Sequence, residues 1–242
     1  MKASDLIERI REDYLDDTLG VDTSDSLVSE TSLVRFAQEA QYQACRRHEL
    51  INDEVTPEVC EIPIVDGLRE YKISDLITRI MIAKYDGVEL CHTTEEDLYK
   101  RDVDWRFETG IPEAFYIKSR IIYFYPMPAG TPEPVKLSVV RIPLQKITRA
   151  TDSFEVFPEA QDDLVYWMLY RVYNLRDEDL NDPTAAKMYL RMFEEVYGPV
   201  IPIDVRTHQL ESPRNLTLTG DEGYPYTAQR QLEDDNFDNR GW

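Results

Sequence analysis

The chain has 242 residues, with 47 acidic and 27 basic side chains and a formal net charge of -20. That length is enough to bury a core, either as one domain with an insertion or as two small domains. So large an acid excess excludes a surface built to grip nucleic acid, because phosphate contacts draw on Lys and Arg. The acids either keep the protein dissolved or line a conduit along which DNA passes without sticking. Cys45, Cys60 and Cys91 are odd in number and widely spaced, which suits thiols in a reducing compartment better than a disulfide framework. Met1 to Ile10 carries Asp5 and Glu8 rather than a signal-peptide run, and no stretch approaches the roughly 20 apolar residues of a membrane span. The expectation is a soluble protein, intracellular when made.

Ser4 and Asp5 stand ahead of Leu6, Ile7, Ile10 and Tyr14, an N-cap before apolar residues at helical spacing, and predict a first short helix. A polar linker containing Gly20 follows. Leu33, Val34, Phe36, Ala37, Ala40, Ala44 and Cys45 give a second helix one apolar face. It ends near Arg46, Arg47 and His48, where cations suit the C-terminal end of the helix dipole.

From Val59 the period changes to two. Cys60, Ile62 and Ile64, then Tyr71 and Ile73, predict a β-hairpin turning at Asp66-Gly67 or just beyond. Ile80, Ile82 and Tyr85 predict a second hairpin with Val88 and Leu90 through Asp86-Gly87, a dipeptide tolerant of positive φ. Thr93 and Thr94 cap a short helix containing Leu98, and Gly110-Ile111-Pro112 returns the chain to extended structure after Trp105. Phe115, Ile117, Ile121, Tyr123 and Tyr125 predict a strand pair around Ser119-Arg120. A proline-rich loop spans 126–134, and Val135, Leu137, Val139 and Arg141 form a last strand.

Beyond Phe157-Pro158, Leu164, Trp167, Met168, Tyr170, Val172 and Leu175 predict an aromatic, largely buried helix. Asp182 and Pro183 are an N-cap and first-turn pair, opening a second helix through Ala186, Phe193 and Val196 to a stop at Gly198-Pro199. The two form an αα-hairpin. After Pro199 no period persists, so the remainder reads as an arm or a disordered terminus that cannot build a core alone. The fold class is therefore α+β. A helical-bundle body comprises an N-terminal helix pair (1–55) and the C-terminal hairpin (151–198); it carries a β-rich insertion (56–150) and an extended or disordered C-terminal arm (199–242). The arm, and the functional reading that rests on it below, require that those last residues do not fold back as a core strand or helix of their own subunit.

Signatures of chemistry are weak. No phosphate-cradling glycine pattern can be drawn through the nine glycines, and no Gly-flanked Ser elbow occurs. His48, His92 and His208 each stand alone, and adjacent Cys91-His92 lacks metal-ligand spacing. The pairs Asp162-Asp163 and Glu194-Glu195 read as wet helix faces, with a carboxylate-dependent hydrolase as the competing reading. Tyr166, Trp167, Tyr170 and Tyr173 read as hairpin core rather than a ligand box. The expectation is no catalytic residue, no cofactor and no metal.

Three stretches in one order carry a resemblance. They are Gly110-Ile111-Pro112 leading to Phe115-Tyr116-Ile117, the run Ile121-Ile122-Tyr123-Phe124-Tyr125-Pro126-Met127-Pro128, and Phe157-Pro158-Glu159 opening a helix through Tyr166-Trp167-Met168-Leu169-Tyr170. With the alanine-rich second helix, Leu33 to Ala40, they make the chain similar over most of its length to the head-to-tail adaptor (connector, tail tubular protein A-like) family of tailed bacteriophages, especially those with short tails. The resemblance implies a non-catalytic virion protein of the neck, made and assembled in the host cytoplasm. It would bind the portal as a homo-oligomeric ring, typically of twelve copies, offer a platform to a tail or nozzle protein, and let genomic DNA through without specific binding or any membrane. In that reading the arm embraces the portal, and Arg206, Arg214, Tyr224, Tyr226, Phe237 and Trp242 are the candidate contacts, being residue types that often dominate interfaces. The alternative is an acidic soluble interaction module, a DNA mimic or assembly factor, that stays out of the virion.

Overall fold

The computed structural model describes residues 1–15, 27–130, 133–176 and 180–213. Within them the chain is α+β, with seven α-helices. Helix α1 (Ala3–Asp13) buries Ala3, Leu6, Ile7 and Ile10. It begins earlier than expected, so Ser4 and Asp5 lie inside its first turn, where Asp5 reaches back to accept the Lys2 amide at 2.8 Å. Helix α2 (Glu30–Arg47) is capped by Ser29, whose hydroxyl accepts the Ser32 amide, and it buries the whole predicted apolar face from Leu33 to Cys45.

The middle of the chain lays down β1 (Asn52–Asp53), α3 (Pro57–Cys60), β2 (Glu61–Ile62), β3 (Glu70–Lys72), β4 (Ile77–Tyr85), β5 (Val88–Glu89) and β6 (Cys91–His92). It continues through α4 (Glu95–Arg101), a 3-10 turn at Trp105–Phe107, β7 (Thr109–Gly110), β8 (Ala114–Lys118), β9 (Ile121–Tyr125), β10 (Met127–Pro128) and β11 (Val135–Arg141). One sheet has the order β1-β11-β4-β5 with β2 also on β11, and a second has β3-β9-β8-β6; β7 and β10 make a small parallel pair. The hairpins through Asp86-Gly87 and Ser119-Arg120 form as expected, with positive φ at all four turn residues.

Two strand expectations are corrected. Residues 60–64 and 71–73 do not form a hairpin: Ile62 lies opposite Val135, whereas Tyr71 lies opposite Ile122 in the other sheet. Both segments bury alternate side chains in the core between the sheets, so period two reveals the buried face and not the strand partner. On β4 the buried residues are Ile77, Ile80 and Ala83, with Ile82 only half-buried. The register with β11 passes over Met81 and Thr78, and each such bulge moves the following side chains to the opposite face.

Helices α5 (Leu164–Tyr173) and α6 (Pro183–Tyr197) pack on one another, and α5 also packs on α1 and α2. The Asp182 carboxylate accepts the Thr184 and Ala185 amides, and Gly198, at φ 83°, ends α6 in a backbone region unfavourable to other residues. These four helices share a first core that includes Leu6, Phe36, Met168 and Phe193. A second core lies between the sheets and contains Ile73, Ile122, Phe124 and Leu137.

The segment after Pro199 departs from expectation. Residues 203–211 form helix α7 (Ile203–Glu211), which packs on β4 and β8 and places Leu210 in the inter-sheet core. This part of the predicted arm therefore belongs to the body of its own subunit. Burial of Leu210, worth roughly 1.5–3 kcal/mol, contributes to that docking together with the Glu211 carboxylate, which accepts the Ser119 amide at 2.7 Å.

The helical and sheet cores meet at a buried polar junction. Arg141 donates to Asp53 at 2.5 Å and pairs with Glu155 at 2.6 Å, and the Glu155 amide donates to Gln41 of α2. Burial raises the Asp53 carboxyl, but donors from Thr56, Val55 and Arg141 outweigh it and hold the group well below the usual carboxylate range.

Candidate functional site

Alternation along β8 and β9 sorts their side chains between two faces. Phe115, Ile117, Ile122 and Phe124 enter the inter-sheet core, while Ala114, Tyr116, Tyr123 and Tyr125 lie on the outer face with Leu98 of α4 and Trp105. Tyr116 and Tyr123 stack at 4.7 Å between ring centres, and Trp105 meets Tyr116 edge-on at 5.9 Å. A cavity of about 510 Å³ opens beside this cluster, walled by Trp105, Tyr116 and Tyr123 and edged by Arg69, Arg106 and Lys118.

Its electrostatics are unusual for so acidic a chain. Glu95 is shared by Lys118 at 3.0 Å and Arg106 at 2.5 Å, and those two hydrogen bonds hold its carboxyl low. Arg69 has no ion pair among the described residues. Its guanidinium lies 5.0 Å from the Trp105 ring and donates to the Arg106 carbonyl, while its Nε is buried without a hydrogen-bond partner. Burial pushes Arg69 below the ordinary arginine range; Tyr116 opposes that shift and the positive charge of Arg106 adds to it. Phe107 and Val103, 82% and 76% exposed, add apolar surface on the same segment as Trp105.

Of the candidate contacts predicted from sequence, only Arg206 falls among the described residues. It lies on α7, where burial and the positive charge of Arg46 lower its basicity and Tyr42 acts in the opposite sense. Arg214, Tyr224, Tyr226, Phe237 and Trp242 lie outside the described residues.

The acid pairs lie on helix surfaces or at helix ends, with partners to hand. Asp162 pairs with Arg9 at 3.3 Å, Glu194 with Arg47 at 3.4 Å and Glu195 with Arg191 at 3.2 Å, while Asp163 is raised by burial and by Asp162. Trp167 packs on Phe193 and Tyr173 on Tyr189, as hairpin core should. No His, Cys, Asp and Glu group suited to a metal ion occurs among the described residues, nor any helix long and apolar enough to cross a membrane.

The sequence reading missed the cationic aromatic cavity. Its signal was present in Tyr116 and Lys118 on β8 with Tyr123 on β9, side chains on the face opposite the aliphatic ones. Arg69, by contrast, arrives from a loop and Arg106 from the 3-10 turn, whose courses the strand pattern does not fix.

The arrangement offers an aromatic, cation-edged binding surface on a body with separate helical and inter-sheet cores. The family described as SU10 adaptor protein matches the chain over residues 1–218. The chain belongs to this family of phage head-tail adaptors. Comparison with individual curated proteins returns no match. The matched span takes in every described helix and strand of the adaptor, including α7 and Arg206, and reaches Arg214; Tyr224, Tyr226, Phe237 and Trp242 lie beyond it. Adaptor membership implies a structural role in the virion neck, in contact with portal and tail proteins.

Proposed function

We propose that this chain is a non-catalytic adaptor that binds the portal as a ring, extends the DNA channel and offers the tail its docking platform, as in short-tailed phages. The observation that carries the proposal is the family match over residues 1–218. In this reading the four packed helices form a bundle-like ring wall and the β-rich part faces a tail or nozzle protein. The portal-embracing arm starts beyond α7 rather than at residue 199, with Arg206 at its root and the aromatic residues of 214–242 as its anchors. Twelve copies close the ring by head-to-tail contacts. The net charge of -20 suits a channel that DNA traverses without adhering.

The protein alone is expected to run as a monomer and to assemble on the portal in the host cytoplasm. Light scattering and native mass measurement of protein, portal and mixture test this. A complex of ring stoichiometry supports the proposal. Unchanged masses on mixing, together with absence from purified virions, would overturn it and favour a soluble acidic factor.

A further inference from the structure

The cationic aromatic cavity on the outer face of the second sheet has a complementary sequence within the same chain. Residues 232–238, Leu-Glu-Asp-Asp-Asn-Phe-Asp, interleave four carboxylates with two apolar side chains. The cavity offers the reverse: Arg69 without an ion pair among the described residues, Arg106 and Lys118 sharing the single carboxylate of Glu95, and the rings of Trp105, Tyr116 and Tyr123. A carboxylate reaching Arg69 would meet a guanidinium already held over an indole. Such a charge-assisted pair is stronger than a neutral hydrogen bond.

The chain also leaves the described structure at the right place. Glu211, at the end of α7, accepts the Ser119 amide at 2.7 Å, and Ser119 follows the cavity residue Lys118. From residue 213 to residue 233 an extended chain covers up to roughly 65 Å at about 3.3 Å per residue. Loop closure over such a length adds only about 0.6 kcal/mol for each doubling.

We propose that, in the protein before it meets a partner, the acidic stretch 232–238 docks into the Arg69, Arg106 and Lys118 cavity of the same chain. Its carboxylates face the cations and Phe237 lies against the aromatic wall. This contact is read on the full-length protein alone, so its test needs no portal; an arm that engages the portal through Phe237 would have to leave the cavity first.

Zero-length carbodiimide coupling, which joins an amine to a carboxylate in contact, tests it directly. At about 50 mM salt, where charges are weakly screened, Lys118 should couple to the tryptic peptide 231–240. The expected yield is several-fold above that of Lys72 or Lys100, which are also exposed and already paired with acids. The excess should disappear in Arg69→Glu and at about 1 M salt. Because both described cores are built without the acidic stretch, Glu233→Gln/Asp234→Asn/Asp235→Asn should leave folding intact and accelerate amide exchange over 95–107. A Lys118 yield no higher than that of Lys100, or no change in exchange in the triple variant, would overturn the proposal. So would coupling found solely between chains in a mixture of isotope-labelled and unlabelled protein.

Discussion

Replacing Arg141 by Met should be among the costliest single changes in the sheet lobe. The Arg141 and Asp53 side chains are 7% and 6% exposed, and Glu155 is 27% exposed. Removing the cation leaves Asp53 buried and charged, with the Thr56 hydroxyl, the Val55 and Thr56 amides and the Cys60 thiol as its remaining donors. Breaking a buried pair from one side costs about 3–5 kcal/mol, whereas removing both charges costs much less. For a chain of this size that loss lowers Tm by roughly 6–20 °C. Asp53→Asn combined with Arg141→Met should therefore be more stable than the sum of the single losses implies, by at least ~1 kcal/mol in a double-mutant cycle. Calorimetry of the four proteins decides it. A Tm for Arg141→Met within about 2 °C of the parent, or strict additivity in the cycle, would refute the junction's role.

Two further outcomes follow from particular contacts. Leu210→Ala removes the one buried side chain of α7, a change that costs about 2–5 kcal/mol in a packed core; exchange of amides 203–211 should accelerate while those of α2 stay protected, and equal protection throughout would remove α7 from the body. Burial holds His92 at about 4 against an ordinary 6.5, its hydrogen bond to the Glu211 carbonyl opposing the shift. Between those values the unfolded chain binds a proton that the folded chain does not, so stability should fall as pH drops from about 6.5 to about 4. Denaturant titrations at pH 7, 6 and 5 should show a shallower decline for His92→Leu, and identical slopes would contradict the assignment.

Local pattern carried far in this chain where burial is one-sided. Helix α2 was legible because its buried set, Leu33 to Cys45, repeats at helical spacing, and α6 because Asp182, Pro183 and Gly198 mark its ends. Strand pairing was not legible, since Ile62 and Tyr71 take partners more than fifty residues further along the chain. Helix α7 escaped because it has no apolar stripe: Ile203 is 73% exposed and Val205 42%, leaving Leu210 as its one buried residue. Arg141 looked like an ordinary strand residue, and its importance comes from Asp53, a distant residue in sequence. The cavity stayed hidden for the same reason, its cations converging from loops and strands that are separate along the chain.

The sheet lobe begins and ends at one spot, since Asn52 pairs with Val140 and the Arg141 amide donates to the Ile51 carbonyl. Such a lobe behaves as a cassette: relatives could enlarge or trim it without disturbing the helices on which it is mounted. Helix α7 is the latch on that cassette, returning from the far end of α6 to seat Leu210 between the sheets. Any exchange of the lobe for another must therefore supply a new seat for that leucine or surrender the latch.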